Sequence, residues 1–249
     1  MDWHVTFRVF RYKQDGQPPG WQEFVLEVRP TDYVVDALER IWAEHDRSFI
    51  FRHACHHGAC GACGVRINGH EHLACNTRID TQVSDGGVVT VEPLQNLPVL
   101  SDLVVNPALF YERMELIPFI GLQPADPIID ERTGETGLAS VPPHQFANCI
   151  ECALCFSTCP ARAVDSDFAG PAALAAMSQM LGASRRDGDP RSPLEQAGGR
   201  NALRWRIRAA SESVFSCLLC QACEVCCPRD VHITEGVHSL RRFLLKEGW

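Results

Sequence analysis

The chain has 249 residues, of which 45% are hydrophobic and 22% charged, and its formal net charge is −8 at pH 7. This composition is typical of a globular protein with one or two domains. The acidic balance argues against a nucleic-acid partner, because binding to phosphates requires a basic surface. No stretch approaches the length of about 18 consecutive apolar residues that a membrane-spanning helix needs.

The first residues are not typical of an exported or imported precursor. Residues 1–7 lack the basic-then-apolar order of a signal peptide, and an Arg-rich, acid-poor transit peptide is also missing. We therefore expect a bacterial or archaeal protein that is not exported. In such a protein, closely spaced cysteines are expected to be metal ligands rather than disulfide partners.

The first hundred residues predict a small sheet with one helix. Apolar residues alternate over 3–9 and again over 24–28, which predicts two strands joined as a hairpin. Helical spacing predicts a helix over 34–42. Further short strands are predicted at 65–67 and 88–91.

The second half is predicted to be helical. A connector at 93–106 separates it from the strands. Loops are predicted at 130–143 and 184–200 because these segments are rich in turn-forming and charged residues. Helices are predicted at 107–119, 171–181, 202–214 and 235–246.

Twelve of the thirteen cysteines have the spacing of iron–sulfur ligands. The first set is C-x4-C-x2-C followed by a fourth cysteine, which is the plant-type [2Fe–2S] spacing. Its members are Cys55, Cys60, Cys63 and Cys75. Gly58, Gly61 and Gly64 are interleaved with this set, and we expect them to adopt positive φ and to donate amide hydrogen bonds to sulfur.

The other eight cysteines form two runs of C-x2-C-x2-C-x3-C, each closed by proline. The runs are Cys149, Cys152, Cys155, Cys159 with Pro160, and Cys217, Cys220, Cys223, Cys227 with Pro228. This is the motif of bacterial two-cluster ferredoxins, in which the fourth cysteine of each run ligates the other cluster. Each proline is expected to end a ligand loop and start a helix. The remaining Cys226 is predicted to be a buried thiol.

Two other kinds of metal site use similar ligands. Structural zinc also uses C-x2-C pairs, but zinc motifs rarely place four cysteines in one run closed by proline, twice. A Rieske centre would need a second cysteine–histidine pair beside Cys55-His56-His57. Cys60 and Cys63 occupy that place, so His57 is predicted to be a bystander. Iron and sulfide analysis would separate these alternatives.

Taken together, the motifs resemble the iron–sulfur subunit of the succinate dehydrogenase/fumarate reductase family. The similar segments are 52–63 (RHACHHGACGAC), 67–69 (ING), 73–75 (LAC), 97–106 (LPVLSDLVVN), 149–160, 170–172 and 227–228. The resemblance implies an α+β chain. A β-grasp [2Fe–2S] ferredoxin domain would occupy residues 1–105, and an α-helical two-cluster ferredoxin domain would occupy 106–249.

The resemblance also implies partners and a role. It implies an FAD-containing flavoprotein subunit, where succinate and fumarate interconvert, and membrane anchor subunits through which quinone is reached. The chain would have no substrate pocket of its own. It would pass electrons from flavin through three clusters toward quinone, at the cytoplasmic face of the cell membrane. An alternative keeps this path but changes the flavoprotein, as in thiol-linked fumarate or heterodisulfide reductases.

By similarity, the second and third clusters draw ligands from both runs. The implied ligands are Cys149, Cys152, Cys155 and Cys227 for a central [4Fe–4S] cluster, and Cys159, Cys217 and Cys223 for the third. The family usually has an apolar residue at the position of Cys220, which gives [3Fe–4S]. We expect a third [4Fe–4S] cluster with Cys220 as its fourth ligand, the alternative being a free thiol beside [3Fe–4S].

A second departure concerns quinone. The family commonly shows a Trp shortly after the first Cys-Pro and a His after the first cysteine of the second run. This chain has Ala-Arg-Ala-Val at 161–164 and Leu218 instead. Quinone would then bind within the anchor, or another redox group there would relay electrons. The alternative is that Arg162 or nearby polar residues line the usual pocket.

Overall fold

The computed structural model describes residues 2–115, 128–129, 136–137, 146–183 and 211–246. The chain forms two compact units. The first consists of Met1–Phe110, Ile150–Thr158 and Cys226–Pro228, and the second of Tyr111–Cys149, Cys159–Val225 and Arg229–Trp249. The domain boundary after residue 105 remains a prediction.

The first unit contains a five-stranded mixed sheet with the order β2-β1-β5-β3-β4. The strands are β1 (Trp3–Arg11), β2 (Gly20–Val28), β3 (Gly64–Ile67), β4 (His70–Leu73) and β5 (Val88–Glu92). The predicted hairpin is confirmed, with Trp3 opposite Val28 and Arg11 opposite Gly20. Strand β5 pairs parallel to β1, and all other pairs are antiparallel. Because alternate residues of a strand face opposite sides, the buried positions of β1 are Val5, Phe7 and Val9.

One helix follows the hairpin, as predicted. Helix α1 (Val34–Arg40) continues into a single wider π-helical turn, Ile41–His45. The carboxylate of Asp36 accepts the backbone N–H of Tyr33 at 2.9 Å, which caps the first turn. The helix and its π-helical turn bury Val34, Val35, Leu38 and Ile41, whereas Trp42, the fifth apolar position behind the prediction, is exposed.

The predicted connector contains a short antiparallel ribbon, β6 (Val99–Ser101) with β7 (Val104–Val105). Asp102 lies between them in a left-handed conformation, with φ of 45°. Its buried carboxylate accepts hydrogen bonds from Arg11 and Lys13 and from two backbone N–H groups. The connector is thus fixed to the end of β1.

The remaining described elements are mostly helices. They are α2 (Ala108–Glu115), α3 (Leu154–Ser157), α4 (Pro160–Val164), α5 (Pro171–Ala183), α6 (Ser211–Ser216), α7 (Ala222–Val225) and α8 (Ile233–Lys246), with β8 (Ile128–Ile129) paired to β9 (Thr136–Gly137). Strand β9 lies inside the predicted loop at 130–143, which is therefore not wholly irregular. The predicted loop at 184–200, and parts of the helices predicted at 107–119 and 202–214, lie outside the described residues.

Helices α5 and α8 pack closely within the second unit. A side chain at Gly236 of α8 would place its Cβ 2.5 Å from Ser178 Oγ and 3.5 Å from Ala175 Cα of α5. The absence of a side chain here lets the two helices approach. In the part of the chain that the structure describes, no helix is both long and apolar enough to cross a membrane.

Candidate iron–sulfur centres

Strand pairing places two cysteines of the first set side by side. Cys63 immediately precedes β3, and Cys75 lies in the turn Ala74–Asn76 that follows β4. Because Gly64 pairs with Leu73, the two cysteines meet at one end of this hairpin. The backbone N–H of Cys75 lies 3.5 Å from Cys63 Sγ. The sequence analysis predicted no strand β4, although this strand sets the position of Cys75.

Backbone N–H groups of the loop point at the sulfurs of the same set. Gly58 N donates to Cys75 Sγ at 3.3 Å, which confirms one predicted amide contact. The N–H groups of Ala59 and Cys60 donate to Cys55 Sγ at 3.3 and 3.4 Å. Such donors stabilise a negatively charged sulfur. The four thiols, held in one loop and one hairpin, fit the soft anionic donors that iron–sulfur centres require.

Within this set, the pKa values of Cys55 and Cys63 are shifted in opposite directions. Hydrogen bonds from the backbone N–H of His57 first, and then of Cys60 and Ala59, lower the pKa of Cys55 to about 6. Burial raises the pKa of Cys63 to about 12. The buried thiol therefore ionises readily only where a bound cation compensates its charge. His57 Nδ1 contacts the carbonyl oxygen of Cys55.

The glycines of this loop allow close backbone contact with the first cysteine run. Gly58 and Gly61 have the predicted positive φ of 70° and 71°. A Cβ at Gly61 would lie 2.7 Å from the carbonyl oxygen of Ile150 and 3.0 Å from Cys152 Cα. Gly64 differs from the prediction because it begins β3 without positive φ, but its Cβ would lie 3.1 Å from Cys152 O. The loop at 55–64, which carries the predicted [2Fe–2S] ligands and is called the [2Fe–2S] loop below, is thus in van der Waals contact with the segment at 150–152.

The two cysteine runs share a backbone pattern that the sequence analysis missed. Glu151 and Ala153 have φ of 54° and 60°, and Leu219 and Gln221 have φ of 55° and 63°. These residues occupy the same places in the two runs, two and four residues after the first cysteine. Left-handed residues that alternate in this way turn successive N–H groups toward one side, which forms an anion-binding concavity. No glycine marked these positions.

Cysteines of different runs interact electrostatically. In the first unit, burial raises the pKa of Cys152 to about 11, and the negative charge of Cys227 adds to this effect. In the second unit, burial raises the pKa of Cys159, and Cys217 and Cys220 contribute further. These electrostatic interactions agree with the crossover pattern, while the ligand sets themselves remain a proposal.

Cys223 completes the group in the second unit. Burial raises its pKa to about 12, with contributions from Cys217, Cys159 and Cys220. Cys149 is half-buried, and its N–H donates to the carbonyl oxygen of Phe146 at 2.8 Å. Cys226, predicted to be buried, is only half-buried, directly after the end of α7.

The prolines that close the two runs behave differently. Pro160 starts α4 directly after Cys159, as predicted. Pro228 does not start a helix. An irregular segment follows it, and α8 begins only at Ile233. This part of the prediction is wrong for the second run.

The residues at the predicted quinone side differ in how far their side chains are exposed. Arg162 is buried, and its guanidinium donates to the carbonyl oxygens of Asp165, Ser166 and Phe168. It therefore braces the turn after α4. In contrast, Val164 and Leu218 are 88% and 66% exposed.

The chain is similar to known iron–sulfur proteins along its whole length. It is 31% identical to the fumarate reductase iron–sulfur subunit of Mycobacterium tuberculosis (strain CDC 1551 / Oshkosh), and the match covers 98% of both chains. The chain belongs to the fumarate reductase/succinate dehydrogenase family of iron–sulfur subunits. Residues 6–112 of this family member match a 2Fe-2S iron-sulfur cluster binding domain, and residues 145–231 match a 4Fe-4S dicluster domain.

A solved structure and a longer relative extend this family relationship. The fold matches a chain of the Mycobacterium smegmatis Sdh1 complex in the apo form with a TM-score of 0.74 and 26% identity, over 100% of this chain and 98% of that chain. The chain is also 26% identical to one of the subunits of the fumarate reductase (CoM/CoB) of Methanothermobacter marburgensis, over 98% of its own length but 45% of that relative. The α+β fold with an N-terminal [2Fe–2S] domain and a [4Fe–4S] dicluster domain is thereby confirmed.

Proposed function

We propose that this chain is the iron–sulfur electron-transfer subunit of a membrane-associated succinate:quinone oxidoreductase. The observation that carries the proposal is the backbone contact between the [2Fe–2S] loop and the first four-cysteine run, at Gly61 and Cys152. Two centres whose ligand loops touch are neighbours in an electron path. The end-to-end similarity to a fumarate reductase iron–sulfur subunit supports the same role.

The proposed ligands form three sets of four. They are Cys55, Cys60, Cys63 and Cys75 for [2Fe–2S]; Cys149, Cys152, Cys155 and Cys227 for the central [4Fe–4S]; and Cys159, Cys217, Cys220 and Cys223 for the third centre. When bound, the clusters supply one-electron carriers whose potentials depend on hydrogen bonds to sulfur, charge and solvent exposure. The chain contributes the thiolates and the N–H groups directed at Cys55 and Cys75, and it brings the loop of the first set against Cys152.

Replacing Cys75 tests the first set. The variant Cys75→Ala should lose the [2Fe–2S] signal while the other centres persist, because the sulfur and N–H contacts of Cys75 are with the thiols and loop of the first set. EPR of the dithionite-reduced protein and the ratio of iron to sulfide measure the outcome. A normal [2Fe–2S] signal in this variant would show that the assignment is wrong.

The nuclearity of the third centre rests on Cys220. This thiol is exposed but lies within the electrostatic reach of Cys159 and Cys223, so a fourth thiolate is available. We expect [4Fe–4S], and hence no abundant [3Fe–4S] signal in freshly prepared, anaerobic oxidised protein. The variant Cys220→Ala should create that signal, and Cys226→Ala is the matched control that should not. An abundant [3Fe–4S] signal in the unmodified protein contradicts the four-iron assignment.

The partners follow from the family and remain proposals. We propose an FAD-containing flavoprotein subunit that binds succinate or fumarate, and one or more anchor subunits that hold the chain at the cytoplasmic face of the cell membrane.

Val164 and Leu218 offer no hydrogen bond from their side chains to a quinone oxygen, and the guanidinium of Arg162 is buried against backbone carbonyl groups. We therefore propose that quinone binds within the anchor or is reached through a further redox group there. A structure of the complex with quinone packed directly on Val164 and Leu218 would reject this.

A second candidate keeps the electron path but changes the flavoprotein. The relative from the CoM/CoB fumarate reductase favours it, because its match covers nearly the whole chain. The purified complex distinguishes the two candidates. Anaerobic addition of succinate should reduce the clusters if the first proposal is correct. Reduction by a thiol pair and not by succinate would favour the second.

A further inference from the structure

Three side chains outside the cysteine sets converge beside the [2Fe–2S] loop. Glu39 lies in α1, while His53 and His56 flank Cys55 in the chain. Glu39 Oε1 lies 3.1 Å from His53 Nδ1 and 3.1 Å from His56 Nε2. The two ring nitrogens lie 3.2 Å from each other. Three potential metal-ligand atoms therefore form a nearly equilateral triangle.

Hydrogen bonds can occupy at most two of the three edges of this triangle. If both histidines carry a proton on the facing nitrogen, both can donate to Glu39 Oε1, and no hydrogen bond then joins the two ring nitrogens. If either histidine donates to the other instead, it no longer donates to the carboxylate, and that edge is left without a proton. A cation above the plane of the three atoms could accept a lone pair from each of them at once.

The dimensions suit a small divalent cation. Zinc binds histidine nitrogen and carboxylate oxygen at about 2.0–2.2 Å. At such lengths, neighbouring ligand atoms are about 3.0 Å apart in an octahedral arrangement and about 3.4 Å apart in a tetrahedral one. The observed 3.1, 3.1 and 3.2 Å lie between these values. Two imidazoles and a carboxylate are a common ligand set for zinc and related transition metals.

Packing restrains the His53 ring before any cation binds. The His53 ring stacks on Phe51 with centroids 4.9 Å apart and an interplanar angle of 18°, and Phe51 stacks in turn on the buried Phe49. His56 is fixed in a left-handed conformation with φ of 58°. The side chains are still more than one third exposed, so a cation can enter and keep water in its remaining positions.

From this geometry we infer that Glu39, His53 and His56 form a binding site for a divalent cation of the zinc class. Because His56 directly follows Cys55, the bound cation would place two positive charges next to the [2Fe–2S] ligand loop. Positive charge near a cluster favours its reduced state, so the midpoint potential of that centre should rise. This second consequence rests on the proposed function, whereas the binding site does not.

Isothermal titration of Zn²⁺ into the oxidised protein, with its clusters intact and after treatment with EDTA, tests the site. We expect one saturable site per chain. Its affinity should fall at least tenfold in Glu39→Gln and in His56→Asn, since asparagine also tolerates the left-handed backbone. The control His70→Gln changes an exposed histidine of β4 and should bind like the unmodified protein. Equal affinity in all variants, or no saturable binding, overturns the inference.

A redox titration followed by EPR gives the second readout. The potential of the [2Fe–2S] centre should be higher with Zn²⁺ than with EDTA in the unmodified protein, and should not change in Glu39→Gln. Saturable binding without such a shift would refute the coupling to the cluster. A missing [2Fe–2S] signal would instead contradict the proposed function, while the calorimetric result would still decide the site.

Discussion

Asp102 is a buried carboxylate, with 0% of its side chain exposed, that joins distant parts of the first unit. It accepts from Arg11 Nε at 3.2 Å and Lys13 Nζ at 2.7 Å, and from the backbone N–H groups of Tyr12 and Ile50. A buried charge is costly unless it is paired and fully hydrogen-bonded, and here both conditions hold. The residue thus fixes the β6–β7 ribbon by chemistry that local sequence patterns do not reveal.

Neutralising Asp102 should destabilise the protein strongly. In Asp102→Asn the shape is kept, but Arg11 and Lys13 lose their buried counter-charge, which typically costs about 3–5 kcal/mol. We expect the lower end, about 3 kcal/mol, because Arg11 also pairs with Asp46. The thermal midpoint should fall by roughly 6–12 °C at a fixed scan rate. The control Glu44→Gln removes only an exposed ion pair and should shift it by about 1–2 °C; similar shifts in both variants would contradict the argument.

Comparing alanine variants of Gly61 and Gly16 separates the effect of the close contact with Ile150 from the effect of backbone strain. Gly61 and Gly16 both have positive φ, of 71° and 85°. A Cβ would meet Ile150 O at 2.7 Å at Gly61, and nothing within 4 Å at Gly16. Both alanine variants should lose about 1 kcal/mol to strain, but only Gly61→Ala should also lose [2Fe–2S] content, measured as iron, sulfide and visible absorption. Equal cluster content in the two variants would show that the contact is not required.

Secondary-structure elements were predictable where the side-chain pattern is regular. Strands β1 and β2 and helix α1 follow from strict apolar periodicity. Strand β4 was missed because its four residues are His-Glu-His-Leu, in which a buried glutamate occupies an inward position. That glutamate, Glu71, accepts a hydrogen bond from Ser157 of α3 at 2.9 Å. Such a buried polar residue forms a hydrogen bond with a residue distant in sequence. The local pattern of apolar residues therefore cannot predict it.

The close contact between α5 and α8 predicts how substitutions at Gly236 and Ser178 change the stability of the protein. In Gly236→Ala, the new Cβ would lie 2.5 Å from Ser178 Oγ, so we expect a loss of about 1–3 kcal/mol from overpacking, partly offset by the better helix propensity of alanine. Combining it with Ser178→Ala removes the clashing oxygen and leaves the nearest side-chain atom at 3.3 Å. The double variant should therefore be more stable than Gly236→Ala alone. A strictly additive loss in thermal melts would contradict this packing account.

For the whole molecule, the cysteine spacing predicted more than any secondary-structure pattern. It indicated two kinds of cluster-binding domain, which the family matches confirm. The left-handed residues at Glu151, Ala153, Leu219 and Gln221 could not be predicted, because no glycine stands there and the strain is imposed by the surrounding fold. The convergence of Glu39 on His53 and His56 was equally hidden, since it depends on how α1 packs.

The proposed crossover of ligands joins cysteines that are far apart in the chain. Replacing Cys227 with Ala should damage the cluster built on Cys149, Cys152 and Cys155, because Cys227 lies near Cys152 in the first unit. The centre at Cys217 and Cys223 should be affected less. Mössbauer spectra of iron-57 protein distinguish the two. Loss of only the latter centre would disprove the crossover.

The first unit is not continuous in the chain, and this has a consequence for its biosynthesis. Its last piece, Cys226–Pro228, is made long after its sheet. During translation, the nascent chain can fold the five-stranded sheet early, but it has no complete first unit until residue 228 has left the ribosome. Under the proposed ligand set, Cys227 is the last ligand of the central centre to be synthesised, so this centre can be completed only after residue 227 has left the ribosome.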